Sequence, residues 1–409
     1  MYDVIVIGGG PAGMAAALEA SKTSKKVAIV ERLDKLGGIL NQCIHNGFGL
    51  HYFKEELTGP EYAGRFSQEV LARDNIEVML NTFVTHIEKG KVRVTNEKGN
   101  IELETKSIVL AMGCRERTAG GISLSGTRPV GVFTAGQAQR MINIYGKMPG
   151  KKIVILGSGD IGLIMARRLT FEGAKVLMVC EIMDTSSGLN RNIQQCLNDY
   201  DIPLKLSHTI TRVVGENRVE GVYVAQVDKN RAPIKETEQF VECDTLILSV
   251  GLIPETDLVS FLDINRITSG AFVDEYRQTN VEGIFSSGNV LHVHDLVDNV
   301  TLESLVAGRS ASMYANGTLD TANPVEVKQG NGVRYVVPTK IYHNDQKTEV
   351  MFRLSARIER QYICAVQDGV VISKKYVLAG EGNQMQTLSI DKSKLVSNNV
   401  VEICVKGVE

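Results

Sequence analysis

Glycines at positions 8, 10 and 13, a lone cysteine at 43, and two histidines at 292 and 294 are the residues of this chain from which chemistry would be built. Gly8, Gly10 and Gly13 form GGGPAG directly after the β-branched run YDVIVI. A run of that kind reads as a buried parallel strand, and MAAALEASK after the glycines reads as a helix. KVAIVE is then a second strand, ending in Glu31. Strand, GxGxxG, helix, strand and acid is the arrangement that seats a dinucleotide. The glycines permit a tight turn and close backbone approach to a pyrophosphate. The helix N-terminus supplies N–H groups and about half a positive charge, and Glu31 would accept from the adenosine ribose.

The unit recurs. KKIVIL leads into GSGDIG, with Gly157, Gly159 and Gly162, then a helix, then KVLMVCE ending in Glu181. The acid follows the first glycine by 23 positions in one copy and by 24 in the other. Each copy is followed by turn-punctuated strands and closes on a short apolar strand and a glycine, SIVLAMG at Gly113 and TLILSVG at Gly251. One GxGxxG is weak evidence; two complete units predict two nucleotide-binding domains.

These motifs must be positioned by an α/β fold of two or three domains, which 409 residues with 39 glycines can supply. The expected division is 1–115 with 250–322, 116–249 inserted between them, and a tail, 323–409. In that tail VRYVVPTKI, TEVMFRLSA and QYICAVQDG alternate apolar and polar residues, which predicts a small antiparallel β domain. It reads either as a docking surface for a partner subunit or second copy, or as a stability module. The formal net charge of -2 and the absence of a basic stripe give no support to a nucleic-acid role. No apolar run reaches the ~20 residues of a membrane span. MYDVIVIGGG has no signal-peptide features, and the seven cysteines form no CxxC or CxxxxC. The expected compartment is therefore a reducing cytoplasm, without a disulfide framework or zinc site.

With the two units comes a third element, GIFSSGN, Gly283 to Asn289. Together the three motifs resemble the two-dinucleotide-binding-domain flavoproteins, the pyridine nucleotide–disulfide oxidoreductase superfamily. That resemblance implies FAD on the first unit, NAD(P)H on the second, and a return of the third motif to the flavin. Asn289 departs from the Asp usual there, though an amide can still hydrogen-bond a ribityl hydroxyl. The resemblance assigns cofactor contacts to Gly8, Gly10, Pro11, Ala12, Gly13, Glu31, Arg32, Gly37, Gly38, Val84, Ala111, Gly113, Gly288 and Asn289. It assigns Gly157, Gly159, Asp160, Ile161, Gly162, Glu181 and Gly251 to the second nucleotide. The stretches GGILNQCIHNGFG and NVLHVHDLVDNVTLESLVAGRSA are further similar to flavoprotein subunits that accompany glycerol-3-phosphate, opine or proline dehydrogenases and hydrogen cyanide synthase. In those, the protein passes electrons within a complex.

Glu181 suits the 2′-hydroxyl of NAD, and no basic residue follows before Arg191, so NAD(H) is favoured over NADP(H) unless Arg167 or Arg191 folds back. TLESLVAGRSASMYA predicts a helix capped by Thr301 or Asn299, and the resemblance implies that Val300 and Thr301 lie at the flavin. An internal dithiol is missing: Cys43 stands alone, with Leu40 near where a first cysteine would fall. A single-cysteine branch of the superfamily, the NADH oxidases and peroxidases, cycles a thiolate and a sulfenic acid. Cys43, 12 residues after Glu31 with His45 nearby, permits that role. It equally permits a small packed side chain. His292, His294, Asp295 and Asp298 read as a polar loop, with His294 a candidate for proton handling. HVHD suggests a metal, but no third ligand is visible and none is expected. Three functions stay open: an FAD-dependent NADH oxidoreductase serving as electron-transfer subunit, a stand-alone oxidase or peroxidase using Cys43, and a non-catalytic nucleotide-binding subunit.

Overall fold

The computed structural model describes residues 1–344 and 346–407. Two compact units emerge, residues 1–114 with 254–409, and residues 115–253. The chain is an α/β protein with an appended C-terminal β-sheet segment.

In the first unit, Tyr2–Ile7 pairs in parallel with Val27–Val30 on one side and Gly99–Leu110 on the other. Ile76–Met79 extends the sheet beyond Val27–Val30, and Ile284–Ser286 lies in parallel on the last residues of Gly99–Leu110. The strands at the centre are apolar throughout because both of their faces are covered. One face packs under helices α1 (Pro11–Ser21), α2 (Gly59–Leu71) and a later helix. The other packs under a hairpin of Phe83–Glu88 and Lys91–Asn96. Helix α1 begins with Pro11 in the first turn, where a missing N–H costs nothing, and no side chain caps it. Its free N–H groups stay available to a ligand. Helix α2 is closed by a reciprocal Thr58–Glu61 capping box.

The second unit repeats the plan. Its five-stranded parallel sheet runs Val132–Thr134, Thr245–Leu248, Lys152–Leu156, Lys175–Glu181, Leu204–Leu206, flanked by α3 (Ala135–Asn143), α4 (Asp160–Phe171) and α5 (Asn190–Cys196). A smaller sheet built on His208–Val214 and Gly221–Gln226 covers the other face.

Helix α6 (Val297–Ala315) returns to the first unit and lies along α1. The contact is close because the side chains are small: a Cβ at Gly308 would sit 2.1 Å from the Ala16 carbonyl oxygen. Ser312 hydroxyl bonds to Thr23 and Ser24 at 2.7 Å and an Arg309–Glu19 ion pair at 3.0 Å fix the register. The helix starts earlier than expected. Leu296 is its N-cap and Val297 its first residue, so neither Asn299 nor Thr301 caps it. Asp298 instead accepts the Tyr52 N–H at 2.9 Å, and the Thr301 hydroxyl is taken by Tyr62 at 2.7 Å.

The C-terminal segment forms a five-stranded sheet over a three-stranded one around their own apolar core. Its pairing is antiparallel except where Pro324–Gln329 runs parallel to Val401–Lys406. It is fastened to the rest of its unit by Val273, Leu291, Tyr335 and Val337 and by a set of polar ties. They include Lys392–Glu275 at 2.6 Å, Tyr342 hydroxyl to Asp274 at 2.8 Å, Thr339 N–H to the Val273 carbonyl at 2.9 Å, and Arg353–Asp295 at 2.6 Å. Among the described residues no helix is long and apolar enough to cross a membrane.

Candidate functional site

The first glycine turn is shaped by backbone contact. Gly8 has φ +105°, and a Cβ there would lie 2.4 Å from the Ala111 oxygen. A Cβ at Gly13 would lie 1.8 Å from the Gly8 oxygen, so only glycine lets α1 leave the strand at this angle. Gly10 differs, with nothing within 4 Å of its Cβ position and an ordinary extended backbone. Its missing side chain leaves open space at the helix N-terminus, where a phosphate would approach.

Four further elements converge on this turn. Glu31 accepts the Gly9 N–H at 2.6 Å and the Leu33 N–H at 2.8 Å. The Gly37 N–H donates to the Gly9 oxygen at 2.8 Å, and a Cβ at Gly38 would lie 3.1 Å from the Gly10 Cα. A Cβ at Gly288 would meet Ala12 at 2.8 Å and Val300 at 3.3 Å. Ala111, Ala12, Gly37, Gly38, Gly288 and Val300 are thus brought to one place. Val84 has its side chain in the core with Ile87, Val92 and Val94, and Arg32 is exposed. Gly113, at φ +72°, has open space about its Cβ position.

Behind Gly288 the polar loop of His292 and His294 closes on two residues that the sequence did not disclose, Glu303 and Arg277. Glu303, on the second turn of α6, is fully buried and accepts four donors. They are the Arg277 Nε at 3.2 Å, the Gly288 N–H at 2.9 Å, the His292 Nε2 at 3.1 Å and the His294 Nε2 at 2.9 Å. Four donors fill the acceptor sites of one carboxylate. Burial would raise the Glu303 carboxyl, but the histidines and their hydrogen bonds outweigh it and hold it well below the usual range. Burial pushes His292 down to about 4, so it is neutral at pH 7.

Glu303 is the third ligand-type residue that the sequence did not reveal, and with His292 and His294 its ligand atoms lie within 4.8 Å of one another. Arg277, 4% exposed, already neutralises the carboxylate, and a divalent ion would add two uncompensated charges to a dry site. This donor set is filled as a hydrogen-bond network rather than a metal centre.

The same network orients Asn289. Its Oδ1 accepts the His294 backbone N–H at 3.0 Å, which fixes the amide, since an N–H can only donate. The Nδ2 group is left facing Cys114 Sγ at 3.6 Å, a weak acceptor. Where an aspartate would offer an acceptor, this turn offers a donor.

The residues fit a bound dinucleotide flavin. Gly10 leaves the space, and the third motif leaves polar atoms unmet. Among the described residues the buried side-chain polar atoms without a partner are Ser286 and Ser287 Oγ, His292 and His294 Nδ1, and Ser304 Oγ. All five fall in the segment that closes this cradle.

Cys43 caps the 3-10 turn Gly38–Gln42, and its thiol donates to the Ile39 carbonyl at 3.3 Å. The residue is half-buried, yet protein surrounds the sulfur and burial pushes the thiol up to about 12. A nucleophilic cysteine needs the opposite shift. His45 packs against Phe48, ring centroids 5.0 Å apart.

In the second unit, Gly157 has φ +98° and a Cβ there would lie 2.0 Å from the Ser249 oxygen. At Gly159 the nearest atom would be 3.4 Å away, so this turn also keeps space where Gly10 does. Glu181 accepts from Ser158 N–H at 3.0 Å, Ser158 Oγ at 2.6 Å and Met183 N–H at 3.0 Å. Asp160, in the first turn of α4, accepts Leu189 N–H at 2.8 Å and so ties residues 186–189 back over the turn. Ile161 packs against the core of this unit, and Gly251, at φ +101°, is open about its Cβ position. Arg191 is exposed, and Arg167 lies on the Phe171 ring, 5.9 Å from its centroid.

Comparison with known proteins agrees with this geometry. An NAD(P)H sulfur oxidoreductase (CoA-dependent) of Pyrococcus abyssi is 27% identical over 308 residues, 72% of this chain and 64% of that one. An opine oxidase subunit of Agrobacterium tumefaciens is 27% identical over 276 residues, 63% of this chain and 54% of that one. The chain thus spans little more than half the length of these relatives. A thioredoxin reductase structure from T. acidophilum superposes with a TM-score of 0.63 at 21% identity, covering 78% of this chain and 99% of that one, a likeness of fold. The family model described as pyridine nucleotide-disulphide oxidoreductase matches residues 2–310. The chain therefore belongs to the pyridine nucleotide–disulphide oxidoreductase family, whose members are FAD-dependent NAD(P)H oxidoreductases.

Proposed function

We propose that this protein oxidises or reduces NAD(H) through a resident FAD and acts as the electron-transfer subunit of a larger dehydrogenase assembly. The observation that carries the reading is the pairing of two complete nucleotide cradles with a Cys43 thiol pushed up to about 12. FAD would be held by Gly8, Gly10, Gly13, Glu31, Gly37, Gly38, Gly288 and Asn289, and it supplies hydride acceptance from a dihydronicotinamide. The nicotinamide nucleotide would be held by Gly157, Gly159, Gly162 and Glu181. Glu181 is 5% exposed and carries a negative charge where NADP would bring a phosphate, which favours NADH. With the Cys43 thiol not activated beside this cradle, the reading sends electrons to an acceptor outside it. The similarity to the opine oxidase subunit supports a partner dehydrogenase subunit, of the opine, proline or glycerol-3-phosphate kind, as that acceptor or donor. The C-terminal sheets are the expected docking element, for that subunit or for a second copy, and a reducing cytoplasm is the expected compartment.

The test is an anaerobic NADH titration of the FAD-loaded protein, followed by visible absorption. Bleaching of the flavin band without a long-wavelength shoulder is expected, in wild type and in Cys43→Ser alike. A charge-transfer band that disappears in Cys43→Ser would replace this reading with a stand-alone oxidase or peroxidase. Tight FAD binding without bleaching would reduce the chain to a non-catalytic subunit.

A further inference from the structure

The seven cysteines are scattered in sequence, but the fold brings two of them face to face. Cys364 and Cys404, 40 positions apart, are direct cross-strand partners between the antiparallel strands Ile358–Gln367 and Val401–Lys406. Both are free thiols. The carbonyl of Ile403 and the N–H of Val405 bond to Gly330 and Asn331 on the far side of their strand. By alternation, the backbone groups of Cys404 face Cys364, which makes this a hydrogen-bonded pair. Such a pair has Cα atoms about 5.5 Å apart, near the middle of the range a disulfide spans.

The side of the sheet matters as much as the spacing. Ile363, Ala365, Val401 and Ile403 point into the core of the C-terminal segment. Cys364 and Cys404 alternate with them and so stand on the outer face. They are 3% and 7% exposed there, sunk among Tyr362, Lys374, Tyr376, Glu402 and Lys406. Of these neighbours Lys374, Glu402 and Lys406 are exposed, long side chains of the kind that move on the picosecond-to-nanosecond scale. Burial raises both thiols; Lys406 and Lys374 offset this in part at Cys364, and Lys406 does so at Cys404, so exchange speeds up as pH rises.

We propose that Cys364 and Cys404 form a redox-active dithiol that closes to a cross-strand disulfide by exchange with small-molecule disulfides. Cys404, the more exposed, attacks a disulfide RSSR as its thiolate and expels RS⁻, which takes up the proton that Cys404 gave. Cys364 then attacks the Cys404 sulfur of the mixed disulfide and expels the second RS⁻, again protonated. Two thiols and one RSSR become one internal disulfide and two RSH, so the cysteines are oxidised and the small disulfide is reduced.

The experiment treats the full-length, folded, reduced protein with hydroxyethyl disulfide. It then blocks remaining thiols under denaturing conditions and maps peptides by mass spectrometry. The expected result is loss of two thiols and one crosslinked peptide pair joining residues 364 and 404. Cys364→Ser should instead trap a mixed disulfide on Cys404, and the oxidised wild type should melt at a higher temperature than its reduced form. Full alkylation of both cysteines after treatment of the folded protein would overturn the proposal. So would a crosslink that forms only in denaturant, or a mixed disulfide on wild-type Cys404 that never resolves.

Discussion

The two glycine-rich turns are nearly the same in sequence and differ in what surrounds them. In the first unit every residue of α1 from Ala12 to Ser21 is buried, and α6 lies so close along it that Gly308 faces the Ala16 backbone. In the second, α4 buries only Gly162, Leu163, Met165, Ala166 and Leu169 and turns its other face outward. Composition follows: AAALEA is small because backbone packs on it, and LIMARRLTF is larger and mixed because solvent does. The first cradle is closed by Gly38, Gly288 and Val300, whereas the second is crossed by Ser187 and Leu189 and flanked by Ser249. On the proposed function, one motif would serve two kinds of occupancy, a cofactor that stays and a nucleotide that exchanges.

The sharpest way to break that contrast is the third glycine of each turn. Gly13→Ala places a methyl 1.8 Å from backbone oxygen in a fully packed helix and is expected to cost about 3 kcal/mol, the upper end for forced overpacking. Gly162→Ala meets the Ser249 Cβ at 2.7 Å and the Gly157 oxygen at 2.9 Å, on a helix with only one face packed, and should cost about 1 kcal/mol. Denaturant titrations of the two variants decide it; equal costs would mean that the enclosure of α1 has no energetic weight.

Gly10→Ala and Gly159→Ala come next, because neither methyl meets a close contact within its own unit. Both apo proteins should melt as wild type does. Gly10→Ala should weaken FAD binding roughly a hundredfold, about 2.7 kcal/mol, while Gly159→Ala leaves FAD in place and raises the KM for NADH. A Gly10→Ala protein that purifies with full FAD would show that the space serves something else.

A smaller effect lies in the pH response of the first unit. Burial raises Asp274 from 3.8 to about 6, so its ionisation weakens the fold as pH rises through that interval. Glu303 is held low, so its contribution is present above its ordinary value of 4.5 and is lost as pH falls below it. Asp274→Asn should therefore remove a decline in stability between about pH 4 and pH 6. Glu303→Gln should weaken the protein most above pH 5. Melting curves across pH 3–8 separate the two.

Smallest of all, Cys43→Ser should leave NADH-driven bleaching within about twofold, since that thiol is not activated.

Both nucleotide units were legible because each residue type in them has a local reason, glycine for the turn, acid for the ribose, β-branched residues for the strands. The C-terminal sheets were legible from alternation. The parallel pairing of Pro324–Gln329 with Val401–Lys406 was not, since register between segments 74 residues apart leaves no local trace. The Glu303 cluster was hidden for the same reason. HVHD was visible, but its partner carboxylate lies on the second turn of a helix whose start was misjudged, and Arg277 precedes it by 26 residues. Leu296 gave no cap signal because no side chain caps that helix at all.

The Lys392–Glu275 pair, both side chains no more than 5% exposed, decides what kind of object the first 323 residues would be if expressed alone. Cutting the chain there would not release a smaller flavoprotein. It would leave Glu275 without its counter-charge, strip Asp274 of the Tyr342 hydroxyl, and turn Val273 and Leu291 toward water. A shortened gene product would be recognised as damaged: sticky, protease-sensitive and cleared. Substitutions that swap the tail for another must rebuild this seam residue by residue.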